Sequence, residues 1–159
     1  MRHSQYILVL ILFILFMIYK IEVEFGKSML IDSFYTNNKI LNLVIADNDL
    51  KRERGLMFVK KMLPNEGMLF DYKIDGYHSV WMKNTFIPLD VLFLDSQYKI
   101  IDYIENTIPH NLDSISIGKK SRYIVELNGG TANKMNLKKG KKLNFKIIKK
   151  LSKNYHKLF

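Results

Sequence analysis

The sequence contains no cysteine, which excludes thiol catalysis, disulfide bonds and cysteine-ligated zinc. The 159 residues also lack the G-x-S-x-G, H-E-x-x-H, G-x-G-x-x-G, Walker A and EF-hand patterns. Only four histidines are present, and two of them, His3 and His156, lie close to the termini. These absences weigh against the common enzyme classes without excluding catalysis, and we expect no cofactor.

Acidic residues are missing from the C-terminal end of the chain. All 15 of them precede position 138, whereas residues 138–159 contain nine lysines, so the net charge of +10 belongs mainly to this end. A basic segment of this kind is attracted to anionic lipid head groups. The plainer alternative is a solvated, frayed terminus. We expect no nucleic-acid partner, because a domain outside the cytoplasm rarely meets one.

A run of 14 uncharged, largely apolar residues, Tyr6–Tyr19, follows Arg2 near the N-terminus. As a helix it would span about 21 Å, against about 30 Å of hydrocarbon core, so it is short for a membrane span unless flanking residues extend it. The alternatives are a cleaved signal peptide, which gives a secreted or periplasmic protein, and a buried core helix. Arg2 favours an anchor that leaves the domain outside the cytoplasm.

Short apolar segments separated by turn residues at intervals near ten predict a mainly β fold. We expect a compact β-sandwich or jelly-roll-like barrel with one or two short helices, preceded by a transmembrane or signal helix. The predicted boundaries are an anchor or signal at 1–28, a linker at 29–38, a β-rich domain at 39–149 and a basic tail at 150–159. The predicted strands are 41–46, 68–72, 77–82, 87–94, 98–105, 122–127 and 142–149.

Two short helices are expected between these strands. Asp47 or Asn48 is a suitable N-cap for a helix that ends at Gly55, and Thr131 is a suitable N-cap for a second helix after Gly129-Gly130. Asp75-Gly76 is typical of a hairpin turn between the segments 68–72 and 77–82.

Several sequence blocks resemble one known family. They are Arg54-Gly55-Leu56-Met57, Gly67-Met68-Leu69-Phe70, Trp81 to Asp90 (WMKNTFIPLD) and Tyr123 to Leu127 followed by Gly130-Thr131. Together they are similar to domain-of-unknown-function family 192 over about residues 39–149. The resemblance implies a compact β fold in proteins that are often exported or anchored, and it implies no agreed activity. Relatives often carry cysteines after the proline that matches Pro109, where this chain has His110-Asn111-Leu112.

Asp90 is the only ionisable residue in the apolar run Ile87–Leu94, so we expect it to be buried. A buried carboxylate needs a partner or a proton. A structural ion pair or a set of turn N–H donors would satisfy it, and a ligand contact or general-base role is the functional alternative. Glu126 has a similar apolar setting. If the two carboxyl groups stood about 5–9 Å apart in one cleft, they could hydrolyse an envelope carbohydrate.

Trp81 is the only tryptophan, and Met82 follows it directly. If the two residues belong to a strand, their side chains face opposite sides of it. It is either a core residue or a platform on which a ring stacks. Lys83 and Asn84 could supply polar groups beside it, and Arg54 is a further candidate contact. An aromatic wall with a few converging polar groups is typical of small-ligand sites.

We interpret the chain as a membrane-anchored, extracytoplasmic binding or accessory module that recognises a small ligand or an envelope component. Its candidate ligand-binding residues are Arg54, Trp81, Lys83, Asn84, Asp90 and Glu126. The carbohydrate-acting enzyme is the first alternative. A Cu(I)-handling protein is the second, because thioether and imidazole groups suit Cu(I). Its ligands would be Met57, Met68, His78 and Met82, although methionines more often fill gaps in a core.

Overall fold

The computed structural model describes residues 2–27, 30–36 and 39–151, with side chains described for 6–19 and 39–144. It contains seven strands and three helices within these ranges. In chain order they are α1 (Arg2–Lys27), β1 (Leu30–Thr36), β2 (Lys39–Ala46), α2 (Asp49–Arg54), β3 (Glu66–Gly76), β4 (Leu89–Leu94), β5 (Ile100–Ile104), β6 (Ser121–Asn128), α3 (Thr131–Lys134) and β7 (Asn144–Leu151).

The two ends of the chain differ from the prediction. Tyr6–Tyr19 is helical, as expected, and each of its side chains is exposed. Among the described residues, no helix is both long and apolar enough to cross a membrane, so the predicted transmembrane helix is not supported. The predicted linker at 29–38 contains strand β1, and β7 extends into the predicted tail as far as Leu151. Residues 152–159 lie outside the described residues.

All seven strands belong to one mixed sheet in the order β5-β4-β6-β3-β2-β1-β7. β2 and β3 are parallel, and the other neighbouring strands are antiparallel. An isolated bridge joins Lys99 to Lys142, just before the two edge strands β5 and β7. Because β5 and β7 are the outermost strands on opposite edges of the sheet, this bridge shows that the sheet curls so that its two edges approach each other. The prediction of a mainly β fold with short helices is confirmed, but the strands do not divide into the two sheets of a sandwich.

Both faces of the central strands are buried, because side chains alternate between two apolar clusters. In β4, Val91 and Phe93 belong to one cluster, whereas Leu92 and Leu94 belong to the other. We call the face that carries Val91 the α2 face, since Leu56, directly after α2, packs into its cluster. We call the other face the α3 face, since residues of α3 and the following turn cover it.

The predicted helix after β2 is confirmed with both of its caps. The Asn48 side chain accepts a hydrogen bond from the backbone N–H of Lys51, and Gly55 at φ +49° ends the helix. The predicted strand 77–82 is wrong, because only Val80 in it forms a bridge, to Ile115. β3 instead continues to Gly76, and the segment after it is a loop over the α2 face.

Candidate functional site

Asp90 is fully buried on the α3 face, where three backbone N–H groups satisfy its carboxylate. Its Oδ1 accepts from Asn106 and Gly130 at 3.0 Å each, and its Oδ2 accepts from Ala132 at 2.7 Å. Asp90 therefore supplies the N-terminal cap of α3, and Thr131, which was predicted to do so, makes no such bond. The turn N–H alternative holds for Asp90, and no lysine or arginine side chain described in the structure forms an ion pair with it.

Asp90 and Glu126 lie on neighbouring strands but face opposite sides of the sheet. Asp90 is paired in register with Leu127, of the α3-face cluster, whereas Glu126 is paired with Val91, of the α2-face cluster. A glycosidase needs both carboxyl groups in one cleft. The prediction that these two residues form a hydrolytic pair is therefore wrong, because alternation along β4 and β6 separates them.

A cleft of about 360 Å³ opens on the α2 face. Its walls come from α2 and the following turn, from the end of β3, from the loop 77–88 and from the loop 107–117. Glu126 lies at its floor, since it is 3% exposed and projects from the central strand β6. Apolar and hydroxyl side chains make up much of the lining: Leu56, Met57, Phe70, Ser79, Val80, Thr85, Leu112 and Ser114.

Glu126 is the unusual residue of this cleft. Its strand neighbours Met68 and Val91 are both fully buried and apolar. Within the described residues no hydrogen bond or ion pair reaches its carboxyl group. Burial without a partner raises the pKa of Glu126 to about 8, so the carboxyl group is mostly protonated at neutral pH. A neutral carboxyl group has an O–H donor to offer, and here the space in front of it is the cleft.

Trp81 lies at the rim of the cleft and is 42% exposed, whereas Met82 next to it is fully buried in the core. The core alternative for Trp81 is therefore wrong. The Lys83 ammonium group lies 4.9 Å from the Trp81 ring centroid, so it covers the ring rather than the cleft floor. Asn84 does not line the cleft, and its carbonyl accepts from the Phe58 N–H at 2.8 Å.

Two arginines of α2, Arg52 and Arg54, line the cleft with Tyr72. Arg52 is engaged by Asp49 and by the Asp71 carbonyl, and its guanidinium carbon lies 5.3 Å from the Tyr72 ring centroid. The pKa of Tyr72 is raised to about 12, first by burial and then by the negative charge that Glu126 would carry. Arg54 thus shares one cleft with Trp81 and Glu126, as the sequence predicted, whereas Asp90 and Asn84 lie elsewhere.

Sequence reasoning missed the residues that close the cleft. Tyr72 and the buried Thr85 line it, and so does Leu112, which belongs to the loop 107–117. In the sequence this loop has only a polar composition to mark it. Backbone hydrogen bonds bring this connection back to the loop 77–88: Met82 N–H donates to Asn111 O, His110 N–H to Thr85 O, and Val80 pairs with Ile115. No local pattern in the sequence indicates this long-range closure.

The four residues proposed for Cu(I) have other surroundings. Met68 and Met82 are fully buried in the α2-face cluster, and the Met82 sulfur accepts a hydrogen bond from Thr107. The His78 ring stacks on Tyr72 with 3.7 Å between centroids. Met57 alone of the four lines the cleft. In the described ranges, no group of three or more histidine or acidic residues could hold a metal ion.

The substitution Asp90→Asn should destabilise the fold by about 3 kcal/mol, because an amide N–H would face backbone N–H donors that now bond a carboxylate. Chemical denaturation measures this change. Asp95→Asn is a matched control, since Asp95 accepts two backbone N–H groups in a solvated turn and its loss should cost about 1 kcal/mol or less. Equal effects of the two substitutions would contradict the structural role of Asp90.

The buried Glu126 makes stability depend on pH. Its pKa is raised from 4.5 to about 8 on folding, so the folded chain keeps a proton that the unfolded chain loses between these values. The free energy of unfolding should therefore be highest below pH 4.5 and fall by about 1.4 kcal/mol per pH unit towards pH 8, relative to Glu126→Gln.

Denaturation of both proteins from pH 5 to 8 tests this expectation. Glu105→Gln, at an exposed position, controls for the loss of one negative charge. A wild-type stability that stays parallel to that of Glu126→Gln over this range would show that Glu126 is not protonated by burial.

Comparison with known proteins agrees with this fold. The crystal structure of a Sinorhizobium meliloti 1021 protein, described as a candidate transcription regulator, is 33% identical with a TM-score of 0.69, covering 75% of this chain and 95% of that one. A protein of unknown function from Novosphingobium aromaticivorans DSM 12444 is 24% identical with a TM-score of 0.66, covering 74% and 85%. No curated protein matches. The sequence model of DUF192, described as an uncharacterized ACR, matches residues 33–145, and the chain belongs to this family.

Proposed function

We propose that the chain is a binding module that holds a small organic ligand in the cleft on its α2 face. The observation that carries the proposal is the Glu126 carboxyl group, which lines an open cleft, is 3% exposed and has no hydrogen-bond or ion-pair partner among the described residues. Leaving a buried polar group unsatisfied costs about 1–3 kcal/mol. Such a cost is usual at functional sites, where a ligand supplies the missing partner.

The size and lining of the cleft support a small ligand. A volume near 360 Å³ falls in the range of small-molecule sites, which combine apolar walls with a few polar groups. The half-exposed Trp81 ring at the rim offers a surface on which a ring or apolar body can pack.

We propose in addition that the N-terminal helix attaches this module to a membrane, with the domain outside the cytoplasm. The support is the run Tyr6–Tyr19, whose apolar side chains are all exposed and would gain from an apolar surrounding. The basic residues of 138–159 would then contact anionic head groups. Flotation of the full chain with vesicles tests this, and a chain that stays in the aqueous fraction with anionic as well as neutral vesicles would contradict it.

A thermal-shift screen of the full chain tests the proposed site. The panel holds organic acids, amines, sugars, cell-wall fragments and Cu(I). A ligand present at 100 times its Kd should stabilise the fold by about 2.7 kcal/mol, which raises Tm by several degrees. Trp81→Ala should remove most of this shift, because it removes the rim of the cleft.

Tyr77→Ala is the matched control, since Tyr77 is a 73% exposed aromatic residue that does not line the cleft. It should leave the shift unchanged. A ligand whose stabilisation survives both Trp81→Ala and Glu126→Gln binds elsewhere, and that result, or no shift across the panel, would overturn the proposed site.

A further inference from the structure

We propose that the cleft selects ligands that carry a carboxylate group on a compact apolar body, with the Glu126 carboxyl group at its floor donating a hydrogen bond to that carboxylate. This inference rests on the proposed function and names its ligand class. A protonated carboxyl group and a carboxylate form a short, charge-assisted O–H···O hydrogen bond, which is among the stronger hydrogen bonds in proteins.

The isolation of Glu126 determines what it can offer a ligand. It is 3% exposed, lies between fully buried apolar neighbours and receives no hydrogen bond within the described part of the chain. Three N–H donors hold Asp90 on the other face as an acceptor, whereas no donor is positioned to hold Glu126 in that state. The protonated Glu126 carboxyl group is therefore a hydrogen-bond donor that a ligand acceptor in the cleft can satisfy.

The charges around Glu126 favour an anionic acceptor over a cation. From α2, the charged residues on the cleft are Asp49, Arg52, Glu53 and Arg54. Asp49 is fully exposed and paired with Arg52, and Glu53 is also exposed, so water screens both carboxylates. The two guanidinium groups belong to partly buried residues.

The other elements around the cleft add one described cation at the rim, Lys83, whose ammonium group lies 4.9 Å from the Trp81 ring centroid. β3 contributes Tyr72, which stays neutral, and the loops 77–88 and 107–117 line the cleft with apolar and hydroxyl side chains. Glu126 and Arg54 thus line the same cleft. The Arg54 charge would repel a bound cation, and burial opposes the ionisation of Glu126 that an ion pair with the cation would require.

The side chains that line the walls of the cleft determine what the ligand must carry besides its carboxylate. Leu56, Met57, Phe70 and Leu112 present apolar surface between the floor and Trp81 at the rim. A ring with a single carboxylate, of the size of benzoate or an indole carboxylate, would place its charge towards the floor and its ring against the rim. The shared chemistry is the carboxylate on an apolar body, whether it belongs to a free organic acid or to the C-terminus of a peptide.

The protonation state links affinity to pH. If the carboxylate binds only while Glu126 is protonated, Kd is constant below pH 8 and rises about tenfold per pH unit above it, following the pKa of Glu126 near 8. The carboxylate of the ligand stays ionised throughout this range, so the change reports the protein. Glu126→Gln keeps a neutral donor and should bind within about threefold of wild type at pH 7, with no loss up to pH 9.5.

Triads of probes that are matched in shape but differ in charge separate the ligand classes. Benzoate, benzamide and benzamidinium share one shape and differ in charge, and the same three groups can be placed on naphthalene and indole rings, with short peptides bearing a free or an amidated C-terminus as a further pair. Trp81 is the only tryptophan, so its single indole N–H resonance reports binding at the rim in the full chain. The carboxylates should bind at least tenfold tighter than the amides, and the amidinium probes weakest.

The outcomes distinguish the inference from the proposed function. Carboxylate preference that fades above pH 8 in wild type, but not in Glu126→Gln, supports the inference. Tighter binding of the amidinium probes overturns it while leaving the cleft as a binding site. A Trp81 resonance that no probe and no ligand of the thermal-shift panel moves overturns both proposals. Loss of carboxylate binding in a folded Glu126→Gln protein would also overturn the inference, because the amide still donates.

Discussion

The hydrogen bonds from Asn106, Gly130 and Ala132 to the Asp90 carboxylate hold together three segments that are distant in the chain. They join β4 to the connection after β5 and to the turn that starts α3. Because α3 covers one face of the sheet, these bonds also support the apolar cluster below it. The packing of α3 on the sheet depends on these three bonds, since a buried polar group without hydrogen-bond partners is costly.

Glu126 is the buried acidic residue on the α2 face, as Asp90 is on the α3 face. The proposed function depends on the difference between their hydrogen-bond partners. Both are buried carboxyl groups on adjacent central strands. Asp90 has its donors and is part of the architecture. Within the described part of the chain no donor reaches the Glu126 carboxyl group, which faces a cleft where a ligand can supply a partner. That position, together with Arg54 and Trp81, is what distinguishes the α2 face as the proposed binding surface.

Much of this could be predicted from the sequence, and particular residues show where the prediction stops. The apolar runs gave most strands within a few residues, and the Asn48 and Gly55 caps fixed α2. The segment 77–82 alternates like a strand, yet it is a loop, because its partners are supplied by the distant connection 107–117 rather than by a neighbouring strand. Periodicity cannot distinguish these two cases.

The candidate site could be predicted only in part, because its residues are brought together by contacts between distant segments. Asp90 and Glu126 stand out as charges in apolar runs, but which face each one takes depends on the pairing register of β4 with β6, which the sequence does not contain. Arg54 and Trp81 belong to sequence blocks shared with the family and do meet at the cleft. Tyr72, Thr85 and Leu112 join them only through the folding of loops across the α2 face.

The proposed selection of carboxylates depends on Glu126 being a neutral hydrogen-bond donor at the floor of the cleft. A titration of its side-chain carboxyl carbon by NMR in the full chain measures this, with the resonance assigned from its disappearance in Glu126→Gln. We expect a midpoint near pH 8, moved upwards when a carboxylate ligand is bound. A midpoint near the ordinary value of 4.5 would contradict it, since Glu126 would then be an anion and the cleft would select cations.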